Sequence, residues 1–221
     1  MAQIKSTREI KLLRKAADIT NDIFRCVSKK VRPGVRESEI VAETEAIIKK
    51  KGLKRSFQTI VASGPNAAKP HAKVTERKIK TNDVVVFDFG VIYKGYHSDM
   101  TRTIVVGKID RKLKLLYQTV KKAQKIAIEK VRSGIKASDL AREAHNYMRR
   151  KGFGKYILHT LGHGIGMKVH EAPKLSEKNK HILRKNMVCT IEPGLYIKNK
   201  GGIRIEDMVL ITEKGCQVLT G

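Results

Sequence analysis

An internal repeat constrains this chain more than any other feature. Residues 30–52, KVRPGVRESEIVAETEAIIKKKG, align without a gap to residues 130–152, KVRSGIKASDLAREAHNYMRRKG, at an offset of 100. Lys30, Val31, Arg32, Gly34, Ser38, Glu43, Lys51 and Gly52 recur as Lys130, Val131, Arg132, Gly134, Ser138, Glu143, Lys151 and Gly152. Two unrelated amphipathic helices have no reason to share glycines at both ends, so the pattern reads as a duplication. Within each copy a serine follows a turn glycine, apolar residues recur at helical spacing, and Gly52 or Gly152 stands where a C-terminal cap belongs. A longer helical pattern precedes each copy, REIKLLRKAADITNDIFRCVSKK and RKLKLLYQTVKKAQKIAIEK, and β-rich sequence follows each. The order helices, strands, helices, strands predicts an α+β domain of two pseudo-symmetric halves, about 1–108 and 109–221. In each half helices cover part of an antiparallel sheet.

At 221 residues the chain can bury a core without disulfide or metal staples. No apolar run is long enough for a membrane helix, and MAQIKSTREIKLL lacks the apolar region of a secretory signal. Cys26, Cys189 and Cys216 are odd in number, far apart and free of any CxxC spacing, which points to a cytoplasmic protein. Lys and Arg total 47 against 21 Asp and Glu, a formal charge of +26. Such a balance admits nucleic acid as a weak partner. With only 5% aromatic residues there is little to stack on single strands.

The acids that interrupt apolar strands carry the chemistry. VVVFDFGVIY and YHSDMTRTIVVG read as two strands of a hairpin turning at Lys94-Gly95. Tyr93 then faces Tyr96, Asp88 faces Thr101 and Asp99 faces Gly90. Period-two alternation puts Asp88 and Asp99 on one face as diagonal neighbours. Either hydrogen-bond partners or a cation must compensate two such carboxylates. In the second half Glu192 (VCTIEPG) and Glu206 (GIRIEDMVLI) again interrupt strands, and His163 lies between glycines in LGHGIG. Four carboxylates and one imidazole suit two divalent ions such as Mn²⁺ or Co²⁺, with Zn²⁺ or Fe²⁺ also compatible. The cleft between duplicated halves is their natural place.

DFGVIYKGYHSDMTRT, HTLGHGIGMKVHE, TIEPG and GGIRIED, in that order over nearly the whole chain, resemble the pita-bread metallopeptidases: methionine aminopeptidases, aminopeptidase P and prolidase (Xaa-Pro dipeptidase). The resemblance implies a curved antiparallel sheet covered by helices and a dinuclear metal centre. It implies Asp88 as ligand of one metal, His163 and Glu192 as ligands of the other, and Asp99 and Glu206 as bridging carboxylates. Within the family, His71 in SGPNAAKPHA, His159 in HTLGH and Arg204 in GGIRIED are similar to the Xaa-Pro branch, while His170 is shared by both branches. Glu192 is then the proton acceptor for a hydroxide-supplying water between the metals. His159 and His170 are oxyanion and substrate contacts, His71 is a donor to the substrate, and Arg204 orients an acidic ligand.

The expectation is a single catalytic domain over 1–221, monomeric or homodimeric, without the separate N-terminal domain of typical prolidases. It would hydrolyse the first bond of Xaa-Pro peptides, including ones longer than a dipeptide. The alternatives are a methionine aminopeptidase and, outside the enzymes, an RNA- or ribosome-associated binding protein on the same scaffold. Pro173 and Pro193 read as turn residues, Cys189 as core, and Tyr96 and Tyr196 as packing residues.

Overall fold

The computed structural model describes residues 4–221; Met1–Gln3, the start of the stretch read for a secretory signal, lie outside the described residues. The first helix, α1 (Thr7–Val27), begins with a reciprocal cap: Ser6 Oγ accepts from the Glu9 N–H, and Glu9 accepts from the Ser6 N–H. Its buried stripe, including Leu13, Ala17 and Ile23, spans two clusters. Ile23 packs over the first-half strands, while Leu13 and Ala17 meet Ile165, Val188 and Met208 of the second half. One helix therefore ties the halves together.

The duplication persists in three dimensions. Helices α2 (Glu37–Lys50) and α4 (Ala137–Arg150) have the same length and start 100 residues apart. Gly34 and Gly134 enter them at φ 90° and 88°, and Gly52 and Gly152 leave them at φ 68° and 81°. These left-handed conformations strain any residue with a side chain. The backbone partners repeat too: Gly34 N–H donates to Ile79 O and Gly134 N–H to Leu183 O. The repeated serines are not caps. Both helices start one residue earlier, and Ser38 and Ser138 donate their N–H groups to Thr75 O and Asn179 O. The remaining long helix, α3 (Arg111–Lys130), is capped by Asp110 and packs on α4.

In the first half, β1 (Lys54–Arg55) is followed by β2 (Ile60–Ser63), β3 (Val84–Phe89), β4 (Val91–Tyr93), β5 (Tyr96–His97) and β6 (Met100–Val105). The ladder β2-β3-β6 is antiparallel, as is the small sheet β1-β4-β5. The hairpin register is the predicted one: Tyr93 faces Tyr96 and Asp88 faces Thr101, across a turn with Lys94 and Gly95 both at positive φ. The ladder breaks at Gly90, where a Cβ would lie 1.8 Å from the Ser98 carbonyl oxygen.

The second half holds β7 (Gly162–Gly164), β8 (Glu171–Leu175), β9 (Val188–Ile191), β10 (Gly194–Ile197), β11 (Gly201–Arg204), β12 (Asp207–Ile211) and β13 (Cys216–Val218). Its main sheet runs β13-β12-β9-β7-β8, and β10-β11 form a hairpin. The segment β7-β9-β12 mirrors β2-β3-β6 of the first half. Apart from Tyr156, which ends a 3₁₀ turn, YILHTL is loop along the cleft, and only Gly162–Gly164 joins the ladder. One local expectation fails. Pro173 sits inside β8, an edge strand, where its missing N–H costs no ladder bond. Cys189 is core, 1% exposed in β9. Among the described residues no helix is long and apolar enough to cross a membrane.

Candidate metal centre

The strand ends of both halves converge on a cleft of about 1400 Å³ lined by all nine residues singled out in the sequence: Asp88, Asp99, His163, Glu192, Glu206, His71, His159, His170 and Arg204. Asp88 is carried by β3, Asp99 lies immediately before β6, His163 is on β7, Glu192 immediately follows β9, and Glu206 separates β11 from β12. Ligand-capable atoms of Asp99, His163 and Glu206 all lie within 4.8 Å of one another. His163 Nε2 is 3.3 Å from Glu192 Oε1 and 3.7 Å from Asp99 Oδ2. Its Nδ1 faces Gly164 O at 3.1 Å, which fixes the ring and leaves Nε2 toward the acids.

The glycines around His163 are required by packing. A Cβ on Gly162 would stand 2.0 Å from Thr190 O, and one on Gly164 2.4 Å from Ala172 O. The Thr190 hydroxyl in turn accepts from the His163 N–H and donates to Glu192 Oε1 at 3.2 Å.

The protein alone leaves this cluster poorly compensated. Among the described residues, Asp88 Oδ1 and Glu206 Oε1 are buried without a hydrogen-bond partner. Burial, reinforced by the charges of Glu206, Asp88 and Glu192, raises the Asp99 carboxyl well above the usual range. Burial, with Glu192 and Asp88 nearby, does the same to Glu206. Asp88 is also raised, by burial and by Glu192, against the pull of Arg204. Glu192 runs the other way: burial opposes its charge, but the hydrogen bond and charge of His163 bring it below the ordinary value. His163 is correspondingly raised by Glu192 in spite of burial. Bare buried acceptors cost about 1–3 kcal/mol each. A divalent cation is what satisfies several converging anionic oxygens and one imidazole, so the donor set fits metal ions.

Around the acids runs a second polar network. Arg204, 4% exposed, donates to Asp88 Oδ2 at 2.5 Å, Thr101 Oγ1 at 3.1 Å, Pro70 O at 3.1 Å and the Tyr196 hydroxyl at 2.9 Å. It thus holds Asp88 and the loop that presents His71. The Tyr196 hydroxyl also lies 2.8 Å from His159 Nε2, while His159 Nδ1 meets Thr160 O at 2.8 Å. Both His159 nitrogens are therefore engaged. With Nδ1–H donating to the carbonyl, Nε2 accepts from the tyrosine, and burial keeps the ring neutral by lowering its pKa. Gly194 makes the contact possible, since a Cβ there would be 2.7 Å from His159 Nε2. His170 and His71 are exposed at the mouth, and the His170 ring centroid is 4.2 Å from that of His163.

Tyr196 does more than pack: its hydroxyl links Arg204 to His159. Strand parity could not have found it, because β9 ends at Ile191 and β10 begins only at Gly194. His145, Arg149 and Glu177 form a further cleft-wall cluster that the sequence did not announce: Glu177 Oε1 lies 2.6 Å from His145 Nδ1 and accepts from Arg149 at 2.7 Å. A tie between a helix and a distant loop leaves no spacing signature.

Comparison with known proteins agrees with this architecture. The family model described as metallopeptidase family M24 matches residues 11–213. The chain is 43% identical to the Xaa-Pro dipeptidase of Pyrococcus horikoshii over all 221 of its residues, which cover 63% of that protein. It superposes on the Xaa-Pro dipeptidase of Bacillus anthracis with a TM-score of 0.96 at 42% identity, covering 98% of this chain and 61% of that one. The X-Pro aminopeptidase of Thermotoga maritima gives a TM-score of 0.96 at 38% identity, covering 100% and 63%. The chain thus spans under two thirds of the length of these relatives. The pita-bread fold, the acid–histidine cleft and the family match lead to one assignment: the chain belongs to metallopeptidase family M24.

Proposed function

We propose that the protein is a dinuclear metal-dependent exopeptidase that hydrolyses the N-terminal bond of peptides with proline in the second position. The observation that carries this reading is the convergence of three buried carboxylates, Asp88, Asp99 and Glu206, with the half-buried Glu192 and His163; among the described residues Asp88 Oδ1 and Glu206 Oε1 have no hydrogen-bond partner, and His71, His159, His170 and Arg204 lie around them. Asp88 would hold one ion, His163 and Glu192 the other, with Asp99 and Glu206 shared. Oxygen-rich donors favour Mn²⁺ or Co²⁺. Bound there, two divalent ions supply Lewis-acid polarisation of the scissile carbonyl and lower the pKa of water.

The chain's own groups do the rest. Glu192, ionised and open to the cleft, takes the proton of the attacking water on its carboxylate and passes it to the leaving nitrogen. Arg204 orients Asp88 and offsets part of the burial penalty on its charge. Tyr196 holds His159 in one tautomer, with Nδ1–H on Thr160 O and Nε2 on the tyrosine hydroxyl, so this ring lines the substrate cleft without an N–H left for the oxyanion. His170, at the mouth beside His163, donates to the developing oxyanion, and His71 contacts the substrate backbone. Proline after the scissile bond offers no N–H, so a site that approaches this nitrogen with a histidine donor suits Xaa-Pro bonds. The acidic cluster attracts a free α-amine, which favours removal of the first residue over internal cleavage.

We further propose that residues 1–221 act as one catalytic unit with halves about 1–108 and 109–221. Cys26, Cys189 and Cys216 are free, which supports a reducing cytoplasm.

The test is kcat/KM for Met-Pro, Met-Pro-Ala and Met-Ala-Ser with Mn²⁺ and with Co²⁺. Preference for the proline peptides is expected. Clear preference for Met-Ala-Ser would transfer the assignment to methionine aminopeptidase, and no hydrolysis of any peptide by metal-loaded protein would favour a binding role.

A further inference from the structure

His170 stands beside His163, but among the described residues no hydrogen bond reaches its ring. Its place is therefore set by the backbone on which it sits, the turn from Ile165 to His170 that joins β7 to β8. That turn is organised around one carboxylate. Glu171 Oε1 accepts from the Lys168 N–H at 3.0 Å, and Glu171 Oε2 lies 2.6 Å from the ammonium of Lys5. Lys5 is among the largest fully enclosed side chains of the molecule, with 2% exposure, and Glu171 is 13% exposed at the side chain. A lysine buried so completely is rare without a specific partner.

The backbone of Lys5 is also fixed: its N–H donates to Asn186 O at 2.8 Å, and the next residue, Ser6, caps α1. The turn is packed against the pair, since a Cβ on Gly166 would fall 2.2 Å from Lys5 Nζ and 2.7 Å from Glu171 Oε1. From the first half, the His97 N–H donates to Gly166 O at 2.8 Å. The segment before α1 thus crosses to the second half and delivers one positive charge beneath the turn that carries a cleft histidine.

We propose that Lys5 is a positioning residue: its buried ammonium clamps Glu171 and thereby fixes the 165–170 turn that holds His170 against His163. The proposal rests on the role given above to His170, and it adds that this role depends on an ion pair outside the cleft chemistry. Neither Lys5 nor Glu171 is assigned to touch a metal or to transfer a proton.

Two readouts test it, one independent of activity. Amide hydrogen exchange of the full chain, metal-free, compares the wild type with Lys5→Met. Losing a buried hydrogen bond between charged groups should accelerate exchange of the 165–171 amides by about 10- to 100-fold, while β9 and β12 keep their protection. Steady-state hydrolysis of Met-Pro-Ala by Mn²⁺-loaded Lys5→Met should show kcat down by about 10- to 100-fold with metal stoichiometry and KM unchanged.

A double-mutant cycle then locates the effect. In a His170→Ala background, Lys5→Met should cost little further kcat, because the group it positions is gone. If Lys5→Met does not fold, Glu171→Gln carries the same three measurements. Unchanged exchange in 165–171, or penalties that multiply fully in the double mutant, overturns the positioning role. Undiminished turnover in His170→Ala would sink the catalytic reading of His170, and the exchange result alone would then decide whether Lys5 holds the turn.

Discussion

Replacing Asp99 by Asn should stabilise the metal-free protein and weaken its hold on metal. Asp99 is 5% exposed, and the cation-capable group nearest its carboxylate, His163 Nε2, is 3.7 Å away, beyond hydrogen-bond length. Glu206, Asp88 and Glu192 all act on it with the same sign. The amide keeps the shape and discards the charge. Removing a buried, poorly compensated charge should return about 1–3 kcal/mol, and for a chain of this length each kcal/mol moves Tm by roughly 2–4 °C.

The pH dependence has a definite sign. Asp88, Asp99 and Glu206 have raised folded-state pKa values, so between the unfolded carboxylate value and the raised one the native state binds more protons. Metal-free stability from these groups is therefore present at low pH and declines as pH rises through the raised values. Asp99→Asn should make that decline shallower. Mn²⁺ at a hundred times its Kd should add about 2.7 kcal/mol to the wild type and distinctly less to the variant. The assay is thermal unfolding between pH 4.5 and 8, with EDTA or with Mn²⁺, alongside metal analysis. A lower metal-free Tm for Asp99→Asn, or an undiminished Mn²⁺ shift, would refute the picture of a repulsive acid cluster built for cations.

Other outcomes follow from single contacts. Tyr196→Phe removes the hydroxyl shared by Arg204 and His159; kcat should fall about tenfold with metal content retained, and metal loss measured by elemental analysis would show that the hydroxyl supports Asp88 instead. Gly90→Ala forces a Cβ to 1.8 Å from a backbone carbonyl and should cost at least about 1–3 kcal/mol, read as a depressed Tm or insoluble expression. The charge of +26 should give RNA binding that is blind to sequence and steeply salt-dependent, fading near physiological salt in a fluorescence titration; tight binding to one RNA in high salt would contradict a purely electrostatic origin.

Much of this was legible in the chain. The duplication at an offset of 100 and the β3–β6 register around Lys94-Gly95 needed only local rules: a left-handed glycine, a two-residue turn and a period of two. The acids were visible because Asp88, Glu192 and Glu206 break otherwise apolar strands, where an unpaired charge is costly enough to require a reason. What the sequence could not contain was the partner of each polar atom. Tyr196 looked like packing until Arg204 and His159 were found on either side of its hydroxyl. Lys5 and Glu171 are separated by 166 residues, and no periodicity relates them. Periodicity reports which face of an element is buried; it says nothing about which distant element lies against that face. Only the closing of the two halves decided that four carboxylates share one cleft with an imidazole, and that a lysine ahead of the first helix lies under the turn carrying His170.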